Sequence, residues 1–151
     1  MLMSEISYAY RKATNDDWEI FFDSYMSYAG VHCDKMQFAK LFESLLLDKY
    51  YLIFVFEVAL NKNIAGGIIL KLSNELFNDK YYIEIHHLHI LLKYRKLNAA
   101  IKLYSFVEQI AIENKATKIK VACNLNSTLN QRFYTRNKFV FSKKLFEKAI
   151  Y

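Results

Sequence analysis

The sequence predicts an α/β (α+β) fold, a mixed and largely antiparallel central sheet of six to seven strands flanked by about four helices. Three observations lead to this prediction. Segments with period-two alternation stand on both sides of segments that carry a helical apolar stripe. A short turn joins two strand segments and makes them antiparallel neighbours, whereas a helix between two later strands predicts one parallel crossover. The 151 residues suit one domain, which we expect over residues 1–151.

The first strand and helix are predicted near the N-terminus. Residues 6–13 alternate and carry aromatic side chains, which favours a strand. Thr14 follows as a helix N-cap, and Asp16 and Asp17 suit the positive end of the helix dipole. Gly30 ends this helix. Its predicted buried stripe is Trp18, Phe21, Phe22, Tyr25 and Met26.

A second helix and a hairpin follow. Asp34 is a suitable N-cap for the second helix. The predicted buried stripe of that helix is Phe38, Leu41, Phe42, Leu45 and Leu46. Residues 51–59 and 64–72 are rich in β-branched and aromatic residues, and residues 61–63 (Asn-Lys-Asn) form the turn between these two strands.

The second half of the sequence again predicts both strands and helices. After a loop over residues 73–80, a long strand is predicted over 81–92 and a helix over 98–114. The stripe of this helix is Leu103, Phe106, Val107, Ile110 and Ala111. Another strand follows, with Ile119, Val121 and Cys123 alternating with Lys118 and Lys120. A short helix from Ser127 to Arg136 and one or two strands over 139–150 complete the prediction.

Charge and composition narrow the class of protein. The formal net charge of +6 would attract anionic ligands. The basic residues are scattered, with no run of five or more, so we do not expect a tail that binds nucleic acid. The two cysteines, Cys33 and Cys123, are typical of a reduced protein. No signal-peptide pattern or membrane-length apolar stretch is seen, so we expect a soluble, cytoplasmic protein.

Three local patterns then indicate a family. Ala65-Gly66-Gly67 stands just after the hairpin turn, and residues 94–100 (YRKLNAA) connect a strand to an amphipathic helix. Residues 132–134 (RFY) are followed by Phe139. In this order, over about residues 8–145, the patterns resemble the GNAT family of acetyl-coenzyme A-dependent N-acetyltransferases. The resemblance implies transfer of an acetyl group to an amine.

The strand-to-helix connection is the predicted cofactor site. A tight loop that enters a helix presents unpaired N–H groups where the helix dipole favours a phosphate, and Arg95 and Lys96 add positive charge. In the family such amides hold the pyrophosphate of coenzyme A. Asn98 stands where the family has glycine, but asparagine tolerates a positive φ; Lys138 likewise replaces a usual glycine. The cofactor-binding residues that the resemblance implies are Ile90, Leu91, Leu92, Arg95, Lys96, Leu97, Asn98, Ala99, Ala100 and Asn126.

The resemblance also suggests the catalytic groups. Glu84 matches the glutamate base of histone acetyltransferases, and Glu84 and His86 match the two strand histidines of arylalkylamine acetyltransferases. Tyr134 matches the general acid that protonates the departing thiolate. Strict alternation predicts two opposite faces on this strand: Glu84, His86, Leu88 and Ile90 on one, Ile85, His87 and His89 on the other.

His87 and His89 could share a metal ion, but no further ligand stands at a telling spacing. We interpret both as structural and expect no metal.

The leading hypothesis is therefore direct attack of a small-molecule or peptide amine on acetyl-coenzyme A. Nucleic acid and membrane are not expected as partners, and a homodimer is left open. Two alternatives remain. One is a GNAT domain that has lost catalysis and serves as a binding or regulatory module, which the glycine-poor loop suggests. The other is a GNAT-type toxin that acetylates aminoacyl-tRNA.

Overall fold

The structure is a computed structural model that describes residues 5–29, 34–75, 79–95, 98–122, 132, 134–140 and 148–150. The chain divides into two compact units, Met1–Val121 and Ala122–Tyr151. The described strands of the first unit are β1 (Tyr8–Lys12), β2 (Tyr51–Val58), β3 (Ile64–Asn74), β4 (Tyr81–Ile90) and β5 (Ala116–Val121). Its α-helices are α1 (Trp18–Ala29), α2 (Lys35–Leu47) and α3 (Ala99–Glu113), and 3-10 turns span Asn15–Asp17 and Leu92–Tyr94.

The expected mixed, largely antiparallel sheet is confirmed. Strands β1 to β4 pair antiparallel in sequence order, and β5 pairs in parallel with β4 after the α3 crossover. The described part of the chain holds five strands, so the expectation of six to seven is too high there. The predicted closing strands fall on residues 139–150. Of these, 139–140 and 148–150 are not in a strand, and 141–147 lie outside the described residues.

Helices cover both faces of the sheet. Helix α3 packs on one face, which we call the α3 face. Its fully buried side chains include Phe56, Ile68, Leu70, Ile83, Leu103 and Val107. Helices α1 and α2 pack on the opposite α1/α2 face around Phe21, Phe42, Ile53 and Val55. The predicted stripes account for most of this packing, but Leu41 is 56% exposed, because only one edge of α2 faces the sheet.

A partly buried ion-pair network fixes the start of α1 against the sheet. Arg11 of β1 forms two hydrogen bonds to the Asp17 carboxylate, at 2.7 and 2.9 Å, and its Nε donates to Glu57 of β2 at 3.2 Å. The Thr14 backbone N–H also donates to Asp17, at 2.8 Å. Burial would raise the pKa of Asp17, but the hydrogen bonds from Arg11 and Thr14 outweigh burial and hold that pKa below its ordinary value.

The second unit is described only in part. Arg132 and residues 134–136 are helical, consistent with the predicted helix that ends at Arg136; its earlier residues lie outside the described part. The Tyr134 ring contacts Phe139 edge to face at 5.2 Å between centroids. Lys138, which replaces the usual glycine, has a φ of 66° and so adopts the left-handed conformation that glycine favours.

No α-helix in the described part of the chain combines the length and apolar character that a membrane crossing requires.

The network around Arg11 yields the first prediction. Arg11→Met leaves two buried carboxylates, Asp17 and Glu57, without their main counter-charge. Breaking a fully buried pair costs about 3–5 kcal/mol, and the Arg11 side chain is 38% exposed, so we expect about 2–3 kcal/mol less free energy of unfolding. Urea unfolding at pH 7 measures it. The control is Lys62→Met, because Lys62 lies 3.9 Å from Glu57 but is 69% exposed, and should cost less than about 0.5 kcal/mol. Equal losses in the two variants would contradict this account.

Candidate active site on strand β4

A β-bulge in β4 determines where its side chains point. Ile69 of β3 pairs with His87, but the next residue, Leu70, pairs with Ile85, so His86 is left without a partner. The apolar residues of β4 explain the bulge. Ile83, Ile85, Leu88 and Ile90 are spaced two, three and two residues apart, and all four contribute to the core beneath α3. Unbroken alternation would place Leu88 and Ile90 on the other face and bury two histidines beneath α3 instead.

The bulge overturns the predicted division into faces. Leu88 and Ile90 lie on the α3 face with Ile85, rather than with Glu84 and His86. His87 and His89 pack against Phe21 on the α1/α2 face. Glu84 points away from its buried neighbours Ile83 and Ile85, which places it on the α1/α2 face too. His86 contacts the ring of Tyr51, which belongs to that face. The polar side chains of β4 are thus collected on one side of the sheet.

Beyond the bulge, β4 has a backbone edge with which no described strand pairs. Parallel pairing with β5 ends at Ile85 and Val121. The Leu91 N–H donates to Ala65 of β3, and because successive peptide groups alternate in direction, the N–H of Ile90 points away from β3. The N–H of Leu88 points the same way. No described strand pairs with this side of β4 beyond Ile85, so the two N–H groups are oriented to donate hydrogen bonds to a bound carbonyl or amide.

Glu84 and His86 meet at the start of this edge. The His86 Nε2 lies 3.4 Å from a carboxylate oxygen of Glu84, and their side chains are 36% and 39% exposed. The structure therefore brings together the two groups that the sequence suggested as a base. The pair is accessible to solvent, so it can exchange protons with water directly.

His87 and His89 form a separate, buried pair. The His87 Nε2 lies 3.1 Å from the hydroxyl of Ser24 on α1 and 3.1 Å from the His89 Nδ1. His89 is 3% exposed, and its Nε2 is buried with no hydrogen-bond partner among the described residues. Burial lowers the pKa of His87 to about 4. Burial, and then the nearby His87 and Arg95, lower the pKa of His89 to about 3. These two histidines therefore anchor α1 to the sheet in their neutral form.

Gly67 is required by this packing. A Cβ atom added at Gly67 would lie 2.7 Å from the Phe21 ring and 3.0 Å from the His89 ring. Gly66 is required for another reason, since its added Cβ would lie 2.2 Å from the His89 carbonyl oxygen. The Gly-Gly pair of the sequence pattern thus lets β3 approach both the β4 backbone and α1 closely.

The start of α3 presents backbone N–H groups that suit an anion. Asn98, the N-cap of α3, has a φ of 56° and a ψ of 15°, which is the left-handed conformation that the missing glycine would supply. The first intrahelical bond runs from the Lys102 N–H to the Asn98 carbonyl. The N–H groups of Ala99, Ala100 and Ile101 consequently have no acceptor among the described residues, and they point out of the helix start.

The other predicted cofactor residues divide into three groups. The Leu91 N–H is used by Ala65 and its carbonyl accepts from Tyr94, which removes Leu91 from the set of backbone donors. The exposed Leu92 begins the 3-10 turn, and the Arg95 Nε donates to the Ile90 carbonyl at 2.9 Å, so that Arg95 caps the β4 edge. Lys96, Leu97 and Asn126 lie outside the described residues, as does Cys123.

Tyr134 belongs to the second unit, where its side chain is half-buried beside Phe139. Among the described residues, no three His, Cys, Asp or Glu side chains converge as metal ligands would.

The sequence analysis missed the bulge, although the sequence contains its signal. The spacing of the apolar residues from Ile83 to Ile90 breaks alternation between Ile85 and Leu88. A strand whose buried positions shift by one residue needs an extra residue at that point.

Comparison with known proteins identifies relatives of this arrangement. The family described as the acetyltransferase (GNAT) family matches residues 11–139. No curated protein sequence matches the chain. Among solved structures, a possible acetyltransferase from Clostridium difficile 630 superimposes with a TM-score of 0.81 at 14% identity, covering 95% of this chain and 98% of the other. An aminoglycoside 6'-N-acetyltransferase from Acinetobacter baumannii superimposes with a TM-score of 0.76 at 13% identity, covering 95% of this chain and 99% of the other. Glucosamine-6-phosphate N-acetyltransferase from Arabidopsis thaliana superimposes with a TM-score of 0.72 at 16% identity, covering 95% of this chain and 98% of the other.

The buried histidines predict how stability depends on pH. Their folded-state pKa values, about 4 and about 3, lie below the ordinary 6.5, so the unfolded chain binds more protons between these limits. The contribution of the two histidines to the free energy of unfolding should be highest above pH 6.5, fall as the pH decreases through that window and level off below about pH 3. Replacing both His87 and His89 with Gln should lower stability at pH 7 but flatten this dependence. Urea unfolding between pH 4 and 7.5 measures both.

The control for this prediction is Phe21→Leu. It loosens the same packing without removing a titrating group, so its loss of stability should be nearly the same at every pH. A double histidine variant that keeps the wild-type slope would contradict the assignment.

Proposed function

Because the chain belongs to the acetyltransferase (GNAT) family, we propose that it transfers the acetyl group of acetyl-coenzyme A to a primary amine. The observation that carries this proposal is the presence of two sets of backbone donors. The N–H groups of Leu88 and Ile90 lie on the side of β4 with which no described strand pairs, and the amides of Ala99, Ala100 and Ile101 lie at the start of α3. A thioester carbonyl suits the first site, and a pyrophosphate suits the second.

The residues present fit such a co-substrate. Asn98 adopts the left-handed conformation that glycine would otherwise supply, so the N-cap position of α3 keeps that conformation without a glycine. Ala99 is fully buried and Ala100 is small, so no long side chain at these two positions shields the helix start from a phosphate. This geometry favours a functional cofactor site over a binding module that has lost catalysis.

The chain's own residues supply the remaining chemistry. Acetyl-coenzyme A brings an acetyl group that is activated as a thioester. The Leu88 and Ile90 amides stabilise negative charge on a carbonyl oxygen placed at the β4 edge. Glu84 removes a proton from the incoming ammonium group, and His86 passes that proton to solvent. Tyr134 is proposed, on the family resemblance alone, as the acid that protonates the departing thiolate.

The acceptor is a small-molecule or peptide amine. The printed names of the structural neighbours mention an aminoglycoside and a sugar phosphate as acceptors. At 13% and 16% identity this likeness extends to the fold alone, so neither acceptor is carried over to this chain.

Cofactor binding provides the direct test. Acetyl-coenzyme A at a hundredfold excess over its Kd should raise the free energy of unfolding by about 2.7 kcal/mol, or about 5–10 °C in Tm. Asn98→Gly should keep this shift, because glycine reaches a positive φ without strain. Asn98→Val should lose most of it, because a β-branched residue resists that conformation.

The matched control is Lys115→Gly. Lys115 also has a φ of 56° but follows the C-terminal end of α3, so this variant should change the baseline Tm and leave the cofactor-induced shift unchanged. A Tm that does not respond to millimolar acetyl-coenzyme A, in both wild type and Asn98→Gly, would refute the enzyme proposal.

The base assignment makes a separate prediction. Glu84→Gln should lower kcat/KM by about a hundredfold near pH 7, and by less above pH 8, where more of the amine is already neutral. A pH–rate profile on any accepted amine measures this. Glu43→Gln, an exposed carboxylate on α2, is the control and should match the wild type. A uniform loss at all pH values would assign Glu84 to binding rather than to proton transfer.

A further inference from the structure

Four cross-strand neighbours form a row across the α1/α2 face at the level of Glu84. Tyr51 of β2 pairs with Lys71 of β3, Lys71 pairs with Glu84 of β4, and Glu84 pairs with Lys120 of β5. Directly opposed residues share a face of a sheet, so the four side chains lie on one side. We call Tyr51, Lys71, Glu84 and Lys120 the transverse row.

The two lysines of the row are positioned by aromatic rings rather than by acids. The Lys120 Nζ lies 3.9 Å from the centroid of the Tyr82 ring, and the Lys71 Nζ lies 5.6 Å from that of Tyr51. Neither lysine forms an ion pair within the part of the chain that the structure describes. Lys118, two residues before Lys120 on the same face, differs because it binds Glu75 at 2.6 Å.

This arrangement surrounds the proposed base with excess positive charge. Glu84 supplies one negative charge, and the two neighbouring strands, about 5 Å away on either side, carry Lys71 and Lys120 directly opposite it. His86 adds a third nitrogen group 3.4 Å from the carboxylate. A polycationic acceptor would meet net repulsion here, whereas an anionic group next to the amine would meet two ammonium groups that no acid among the described residues neutralises.

We propose that the acceptor is a primary amine that carries a neighbouring anionic oxygen group, a carboxylate or a phosphate, and that Lys71 and Lys120 bind this group while Glu84 receives the amine. The inference rests on the proposed acetyl transfer and specifies its substrate class. It assigns a specificity role to two residues that the family resemblance does not mention.

Short amines with matched lengths test the inference. The probes are β-alanine and O-phosphoethanolamine, each compared with a neutral partner, β-alaninamide and ethanolamine, and with the dication diaminopropane. Release of free coenzyme A thiol gives kcat/KM for each. We expect at least one anionic amine to exceed its neutral partner by about tenfold or more, and diaminopropane to be the poorest. If β-alanine has the higher kcat/KM relative to its neutral partner, the anionic group is a carboxylate; if O-phosphoethanolamine does, the group is a phosphate.

Variants connect the preference to the lysines. Lys71→Met and Lys120→Met should each reduce the ratio of kcat/KM between the anionic and neutral amines severalfold, and the double variant should bring it close to one. Lys118→Met is the matched control on the same strand and face, and should keep the wild-type ratio. The preference should also weaken at 0.5 M salt, because the Debye length then falls to a few ångströms.

The outcomes separate this inference from the proposed function. Equal turnover of anionic and neutral amines, or preference for diaminopropane, overturns the inference while acetyl transfer stands. An anionic preference that survives the double lysine variant also overturns it. If none of the probes is turned over, saturation-transfer NMR measures whether they bind. Lysine-dependent binding of the anionic amines without turnover supports the subsite, whereas the absence of both binding and turnover overturns the inference. In either case the response of Tm to acetyl-coenzyme A decides the enzyme proposal.

Discussion

The bulge at His86 is the constraint on which the rest of the candidate site depends. It arises because the hydrophobic requirement of β4 shifts by one residue between Ile85 and Leu88. Burying an aliphatic side chain such as Leu88 or Ile90 is worth about 1.5–3 kcal/mol, and burying histidines in their place would add a desolvation cost. One unpaired residue in the ladder is the smaller penalty, so the core beneath α3 dictates the shape of the strand.

The chemistry of the strand follows from that shift. With the apolar residues turned toward α3, all four polar side chains of β4 beyond Ile83 face α1 and α2. Two of them, His87 and His89, are buried as neutral anchors for α1. The other two, Glu84 and His86, remain exposed and in contact. The same local bend coincides with the end of pairing between β4 and β5, which leaves backbone donors beside the exposed pair.

Much of the fold could be predicted from the sequence because it depends on local patterns. The helices and strands of the first unit lie within a few residues of their predicted positions, since amphipathic stripes and turn residues specify them. The positive φ of Asn98 followed from the family resemblance, which has glycine at this position, and from the tolerance of asparagine for that conformation. The faces of β4 did not follow, because strict alternation assumes an uninterrupted ladder. The apolar spacing from Ile83 to Ile90 carries the signal of the bulge, but its meaning depends on a tertiary constraint, the core beneath α3. That core places His87 and His89 on the opposite side of the sheet.

The polar side chains of β4 differ in role: the buried ones stabilise the fold, whereas the exposed ones are available for catalysis. A buried histidine is costly to protonate, so His87 and His89 suit a structural role and are poor bases near neutral pH. Glu84 stands in the opposite situation, exposed and flanked by cationic side chains that no acid within the described residues neutralises. A site that must both attract a substrate and release a proton to water benefits from this exposure. The bulge therefore places the titrating residues of one strand into two environments, one that holds α1 in place and one that can act on a bound amine.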